Sequence, residues 1–63
     1  SETIEIPVQI NGKVRSRIVV AVGMSRDDLL AAAMADDKVA AAIGNATPAK
    51  TIVVVGKLVN FVL

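Results

Sequence analysis

Apolar residues recur at every second position near both ends of this chain, and that alternation constrains the fold more than any other feature. Ile4, Ile6, Val8 and Ile10 form the first such row, and Thr51 to Leu63 is rich in β-branched residues. Period-two patterning marks strands with one face in a core and the other in water. Each run is interrupted by turn chemistry, Asn11-Gly12 in one and Gly56-Lys57 in the other, so each reads as a hairpin. The alanine-rich stretch between them carries helix signals. The predicted fold is α+β in the order ββααββ, with two hairpins flanking two short helices. The sheet is small, antiparallel or mixed, and the helices lie on one face of it.

The middle segment divides at an aspartate. Ser25 precedes Asp28 by three residues, a capping-box-like pair, and Met24 can staple against Leu29. A single helix running to Ile43 would carry Asp36 and Asp37 into its apolar rows. Two helices avoid this, one from Ser25 to about Ala35 and one from Asp37 to Ile43 capped by Asp36. Gly44-Asn45 ends the second.

Register is the harder question. A two-residue turn at Asn11-Gly12 would pair Ile10 with Lys13 and place charges on the apolar face. A three-residue loop, Ile10 to Gly12 with a following bulge, pairs Val8 with Val14, Ile4 with Ile18, Gln9 with Lys13 and Glu5 with Arg17. The second alternative is the expectation, because a one-residue slip exchanges the two faces. Pro7, which lacks a backbone donor, places the first strand at a sheet edge. In the second hairpin a Gly56-Lys57 turn pairs Val54 with Val59, Val53 with Asn60 and Ile52 with Phe61. Ile52, Val54, Val59 and Phe61 then face the helices. Thr51, Val53, Val55, Leu58 and Asn60 face away.

Composition limits the chemistry. The 63 residues include no Cys, His, Tyr or Trp, so disulfides and the usual zinc sites are excluded and no metal or cofactor is expected. Asp27-Asp28 and Asp36-Asp37 sit where helices start, and capping explains them better than a two-carboxylate site. Ser16 and Ser25 lack an activating base, and the isolated glycines form no phosphate-cradling loop. Enzymatic activity is not expected. No apolar run reaches the roughly 18 to 20 residues of a membrane span, and no signal pattern opens the chain. The expectation is a soluble, cytoplasmic piece of a larger chain.

The net charge of +1 is unevenly distributed. Lys13, Arg15 and Arg17 stand against Glu2 and Glu5, and Lys50 and Lys57 stand without an acid, whereas the helical segment sets Arg26 and Lys38 against four aspartates. Basic strands beside an acidic middle suit a polyanion-facing side. Spaced by two, Lys13, Arg15 and Arg17 would project from one side of a strand over roughly 13 Å. Such a row fits backbone phosphates, and it also fits a solvated face that discourages edge aggregation. Lys50 and Lys57 carry the same two readings. Asn60 either caps a backbone group or contacts a ligand.

The strings Val8-Gln9-Ile10-Asn11-Gly12-Lys13-Val14-Arg15 and Val55-Gly56-Lys57-Leu58-Val59-Asn60 agree in order and spacing with the opening and closing hairpins of one known domain. The chain resembles, from about Ile6 to Leu63, the C-terminal domain of bacterial leucyl-tRNA synthetase. The resemblance implies a single non-catalytic tRNA-binding appendage (residues 1–63) of an ATP-dependent leucine-tRNA ligase. It would be joined to its parent by a flexible linker, would meet the outer corner of tRNA-Leu, and would support aminoacylation and editing. The RNA-binding residues expected are Lys13, Arg15, Lys50, Lys57 and Asn60, which fall on the family's motif positions, together with Arg17 from the row of cations on the second strand. Val55 departs from the proline often found before Gly-Lys, and the alanine-rich helices are poor in lysine. An alternative is a protein-interaction module that uses an apolar sheet face, with Val53, Val55 and Leu58, or an exposed strand edge.

Overall fold

The computed structural model describes residues 2–63, so Ser1 of the expected span lies outside the described residues. Six elements follow in the expected order: β1 (Thr3–Ile10), β2 (Lys13–Ala21), α1 (Arg26–Ala35), α2 (Asp37–Ile43), β3 (Lys50–Val54) and β4 (Leu58–Val62). The four strands form one mixed sheet in the order β2-β1-β4-β3. Each hairpin is antiparallel, and a parallel pairing of Val8–Ile10 with Val59–Phe61 joins them.

The helix boundaries follow from capping. Ser25 Oγ accepts from the Asp28 N–H at 3.2 Å and opens α1. Asp36 ends α1 and opens α2, its carboxylate accepting from the Lys38 and Val39 N–H groups at 3.1 Å each. Gly44 closes α2. The chain turns between the helices because Asp36 adopts an extended backbone there (φ −69°, ψ 132°). One residue therefore serves both helix ends.

The core lies between the sheet and the helices. Ile6, Val8, Ile10, Ile18, Val20, Val59 and Phe61 from the strands meet Leu29, Ala33 and Val39 from the helices, all buried. Phe61, the only aromatic, is fully enclosed. Burying an aliphatic or aromatic side chain of this size contributes about 1.5–3 kcal/mol, and a domain this small has few such side chains.

Both expected registers are overturned. Asn11 and Gly12 take left-handed φ values of 52° and 82°, which makes a two-residue type I′ turn, and Ile10 pairs with Lys13. The conflict of phase that disfavours this turn is resolved further along. Gln9 pairs with Val14 and Val8 with Ser16, so Arg15 is the extra residue of a bulge. Val14 consequently turns outward, and Ser16, Ile18 and Val20 turn inward. In the second hairpin Val54 pairs with Leu58, Val53 with Val59, Ile52 with Asn60 and Thr51 with Phe61. The connection is a three-residue loop, Val55 to Lys57, in which Gly56 takes φ 77° and the Lys57 N–H donates to the Val54 carbonyl at 2.9 Å. That one-residue difference carries Val53 to the core side and turns Ile52 and Val54 outward.

Pro7 does not place β1 at an edge, since β1 lies between β2 and β4. Its local effect survives. The β4 pairing begins at Val8, and Thr3 to Pro7 pair with β2 alone. The missing donor falls just before the doubly paired stretch.

Candidate nucleic-acid interface

The sheet face opposite the helices is uncovered, and the register defines what it presents. Gln9 pairs with Val14 on one side and with Asn60 on the other, and Asn60 pairs with Ile52. Paired residues share a face, so a row Val14, Gln9, Asn60, Ile52 crosses all four strands with two carboxamides at its centre. Arg17, opposite Pro7 on β2, and Lys50, opposite Val62 on β3, stand on the same face at its two flanks. Edge cations flank central amides over an apolar floor. Arg17 meets Glu5 at 3.8 Å across β1 and β2, with both side chains more than 60% exposed. The expected partnership is made diagonally, because Glu5 itself pairs with Val19. Exposed as it is, the pair holds Arg17 only loosely.

The expected row of three cations on one side of β2 does not form. Lys13, opposite Ile10, shares the helix-side face, whereas Arg17 shares the outer face, and Arg15 sits in the bulge between them. The bulge changes the phase of the alternation in the middle of the row. All three remain exposed. Lys13 and Lys50 begin their strands at the same end of the sheet, three strands apart and roughly 14 Å at the usual spacing. Lys57 lies at the opposite end, in the β3–β4 loop. The structure gathers Lys13, Arg15, Lys50 and Asn60 toward one end, sets Arg17 lower on the outer face, and leaves Lys57 apart.

Asn60 caps a backbone group, as one of its two sequence readings required. Its Oδ1 accepts from the Gly12 N–H at 3.1 Å. Asn11 reciprocates, its backbone N–H donating to the Phe61 carbonyl at 2.8 Å and its Oδ1 accepting from the Leu63 N–H at 2.9 Å. Two motifs about fifty residues apart in sequence are thus braced into one corner. Since the Asn60 carbonyl is used, its Nδ2 donors are the part left to a ligand.

Ser16 has no activating base and so no chemical role from sequence, yet it faces the helical layer beside Asp36. It is buried on the inner side of β2, and its hydroxyl, with the Val39 and Lys38 N–H groups, holds the Asp36 carboxyl below its ordinary value of 3.8. A polar residue in an otherwise apolar inward row is the signal that points to it. The helices, and the aspartates they carry, pack on the side of the sheet away from the open face.

The apolar residues of the open face also correct the alternative surface. Val53 is partly buried against the core, and the exposed members are Val19 (67%), Val14 (45%), Val54 (40%) and Ile52 (38%). Among the described residues no helix is long and apolar enough to cross a membrane.

No family model matches the chain. Individual relatives do. A leucine–tRNA ligase of Mycobacterium sp. (strain KMS) is 57% identical over all 63 residues, that of Mycobacterium avium (strain 104) is 56% identical over 62, and that of Mycobacterium tuberculosis (strain ATCC 25177 / H37Ra) is 55% identical over 62. The chain spans only 6–7% of these relatives' length. Among solved structures, the leucyl-tRNA synthetase of Agrobacterium radiobacter K84 (agnB2), crystallised in a ternary complex with tRNA and LeuAMS, contains the same fold. The TM-score is 0.89 at 27% identity, over 98% of this chain and 8% of that one. The chain fits a leucyl-tRNA synthetase C-terminal domain. Its α+β fold, in the order ββααββ, is the one that the strand and helix patterning of the sequence predicts.

Proposed function

We propose that this chain is the non-catalytic tRNA-binding domain of a leucyl-tRNA synthetase and that it meets the outer corner of tRNA-Leu with its open sheet face and the Asn11-Gly12 end. The observation that carries the reading is the open row of Gln9 and Asn60 flanked by Arg17 and Lys50, on a chain similar to part of a synthetase crystallised with tRNA. Lys13 and Arg15 extend the cationic edge. Lys57, at the far end, contributes only if the RNA spans the whole sheet.

The chemistry favours shape over sequence. Without an exposed aromatic ring to stack on bases, the face works through phosphate, ribose and backbone contacts, which position an RNA without naming a base. About four neutralised phosphates give a salt slope of roughly −3 to −4 in log units. Joined to its parent by a flexible linker, the domain acts at an effective concentration on the order of millimolar and adds avidity to contacts made elsewhere. Aminoacylation and editing by the parent, in the cytoplasm, both benefit. Replacing Lys13, Arg15, Arg17 and Lys50 with alanine should weaken tRNA binding and flatten its salt dependence; unchanged binding would refute the reading.

The exposure of Val19, Val14, Ile52 and Val54 favours a second reading, a protein-docking face. Binding of that kind survives high salt, whereas phosphate binding fades as salt is added.

A further inference from the structure

The turn that joins the first two strands brings together the two groups whose reaction ages asparagine-containing chains. When glycine follows asparagine, no side chain obstructs attack by the glycine nitrogen on the asparagine Cγ. Gly12 N would lose its proton to solvent base and bond to Asn11 Cγ. The Cγ–Nδ2 bond then breaks, the leaving nitrogen takes up a proton, and ammonia departs from a cyclic imide. Water opens that imide at either carbonyl, giving aspartate or isoaspartate at position 11.

Asn11 and Gly12 are both exposed, so solvent reaches them freely. The atoms that must react are nonetheless engaged. The Gly12 N–H is donated to Asn60 Oδ1 at 3.1 Å, and Asn11 Oδ1 accepts from the Leu63 N–H at 2.9 Å. The first bond holds the proton that must leave, and the second fixes the carboxamide that must be attacked. A third, from Asn11 N–H to the Phe61 carbonyl at 2.8 Å, immobilises the backbone between them. We propose that Asn11 is a latent deamidation site kept unreactive by Asn60.

Reaction would place a negative charge two residues from Lys13, and the isoaspartate product would add a backbone carbon to a two-residue turn that fixes the register of β1 against β2. Its effect on RNA binding rests on the function proposed above. The reaction itself does not.

The test compares the wild-type domain, Asn60→Ala, Asn60→Asp and the wild-type chain unfolded in urea, all aged at mildly alkaline pH. Isoaspartate is read by enzymatic methylation, and position 11 by peptide mass. Asn60→Asp keeps an acceptor for the Gly12 N–H and should age as slowly as wild type. Asn60→Ala should age roughly fivefold faster, the factor supplied by one ordinary hydrogen bond. Should Asn60→Ala fail to fold, hydrogen exchange at the Gly12 amide decides, with protection expected in wild type and Asn60→Asp. Wild type ageing as fast as the urea-unfolded chain, Asn60→Asp ageing as fast as a folded Asn60→Ala, or an unprotected Gly12 amide would overturn the proposal. None of these readouts involves RNA.

Discussion

The two faces of the sheet are built from the same residue types and have opposite fates. Val20, Val59 and Ile18 are buried under the helices, while Val19, Val14 and Ile52 on the other face stand open. A β-branched residue therefore identifies a strand here without identifying a side. The side is set by register, and register is set by two turns and one bulge. Apolar residues left uncovered around a central pair of amides form a surface suited to a partner, and the flanking cations indicate what that partner carries.

The sharpest way to break this comparison is to remove one large side chain from each face. Phe61→Ala opens a cavity inside the core and should cost about 3–5 kcal/mol, close to the whole stability of a small domain. The urea transition should be lost or nearly so. Val19→Ala on the open face should change the stability by less than about 0.5 kcal/mol. Equal effects would mean that the second face is covered in solution.

Next in size is the charge experiment. Replacing Lys13, Arg15, Arg17 or Lys50 singly with alanine should make the salt slope for tRNA shallower by roughly 0.7 to 0.9 for each phosphate no longer neutralised. Affinity should fall less for Arg17 than for Lys50, because the Arg17 pair with Glu5 must be broken before it can bind.

A smaller effect concerns Asp36, the cap between the two helices. The Asp36 carboxyl, lowered by the Ser16 hydroxyl and by the Val39 and Lys38 N–H groups, favours folding when ionised. Its contribution is complete above the ordinary carboxylate value of 3.8 and is lost as the pH falls through the lower folded value. Asp36→Asn retains a capping oxygen and should flatten the acid limb of a melting-temperature profile. An unchanged acid limb would show that the carboxylate has no special role. Smallest of all, Lys57→Ala at the remote end of the sheet should leave tRNA affinity nearly unchanged.

The elements were legible in the sequence and the register was not, for a physical reason. Helix limits depend on groups three residues apart, and Ser25 with Asp28 and Asp36 with Val39 display theirs locally. The type I′ turn is fastened to β4 by Asn60, 48 residues from Gly12, and no local rule contains that bond. Charges at a strand end also tolerate the apolar face when it runs beyond the core, as Lys13 does beside Ile10. The conflict of phase at the two-residue turn is real, and the bulge at Arg15 removes it. For the candidate site the consequence is direct. The cations named from the sequence are exposed, but the one-sided row of Lys13, Arg15 and Arg17 becomes an end cluster with Arg17 apart, and Gln9 emerges as the central neighbour of Asn60.

The central claim is that RNA meets the open sheet face, and amide chemical-shift mapping of the labelled domain titrated with tRNA-Leu tests it most directly. The account predicts shifts concentrated at Gln9, Asn60, Arg17 and Lys50 and at the Gly12-Lys13 corner, with α1 and α2 silent and the shifts fading as salt is added. Perturbations confined to the helices, or shifts on the open face that persist undiminished in high salt, would contradict it.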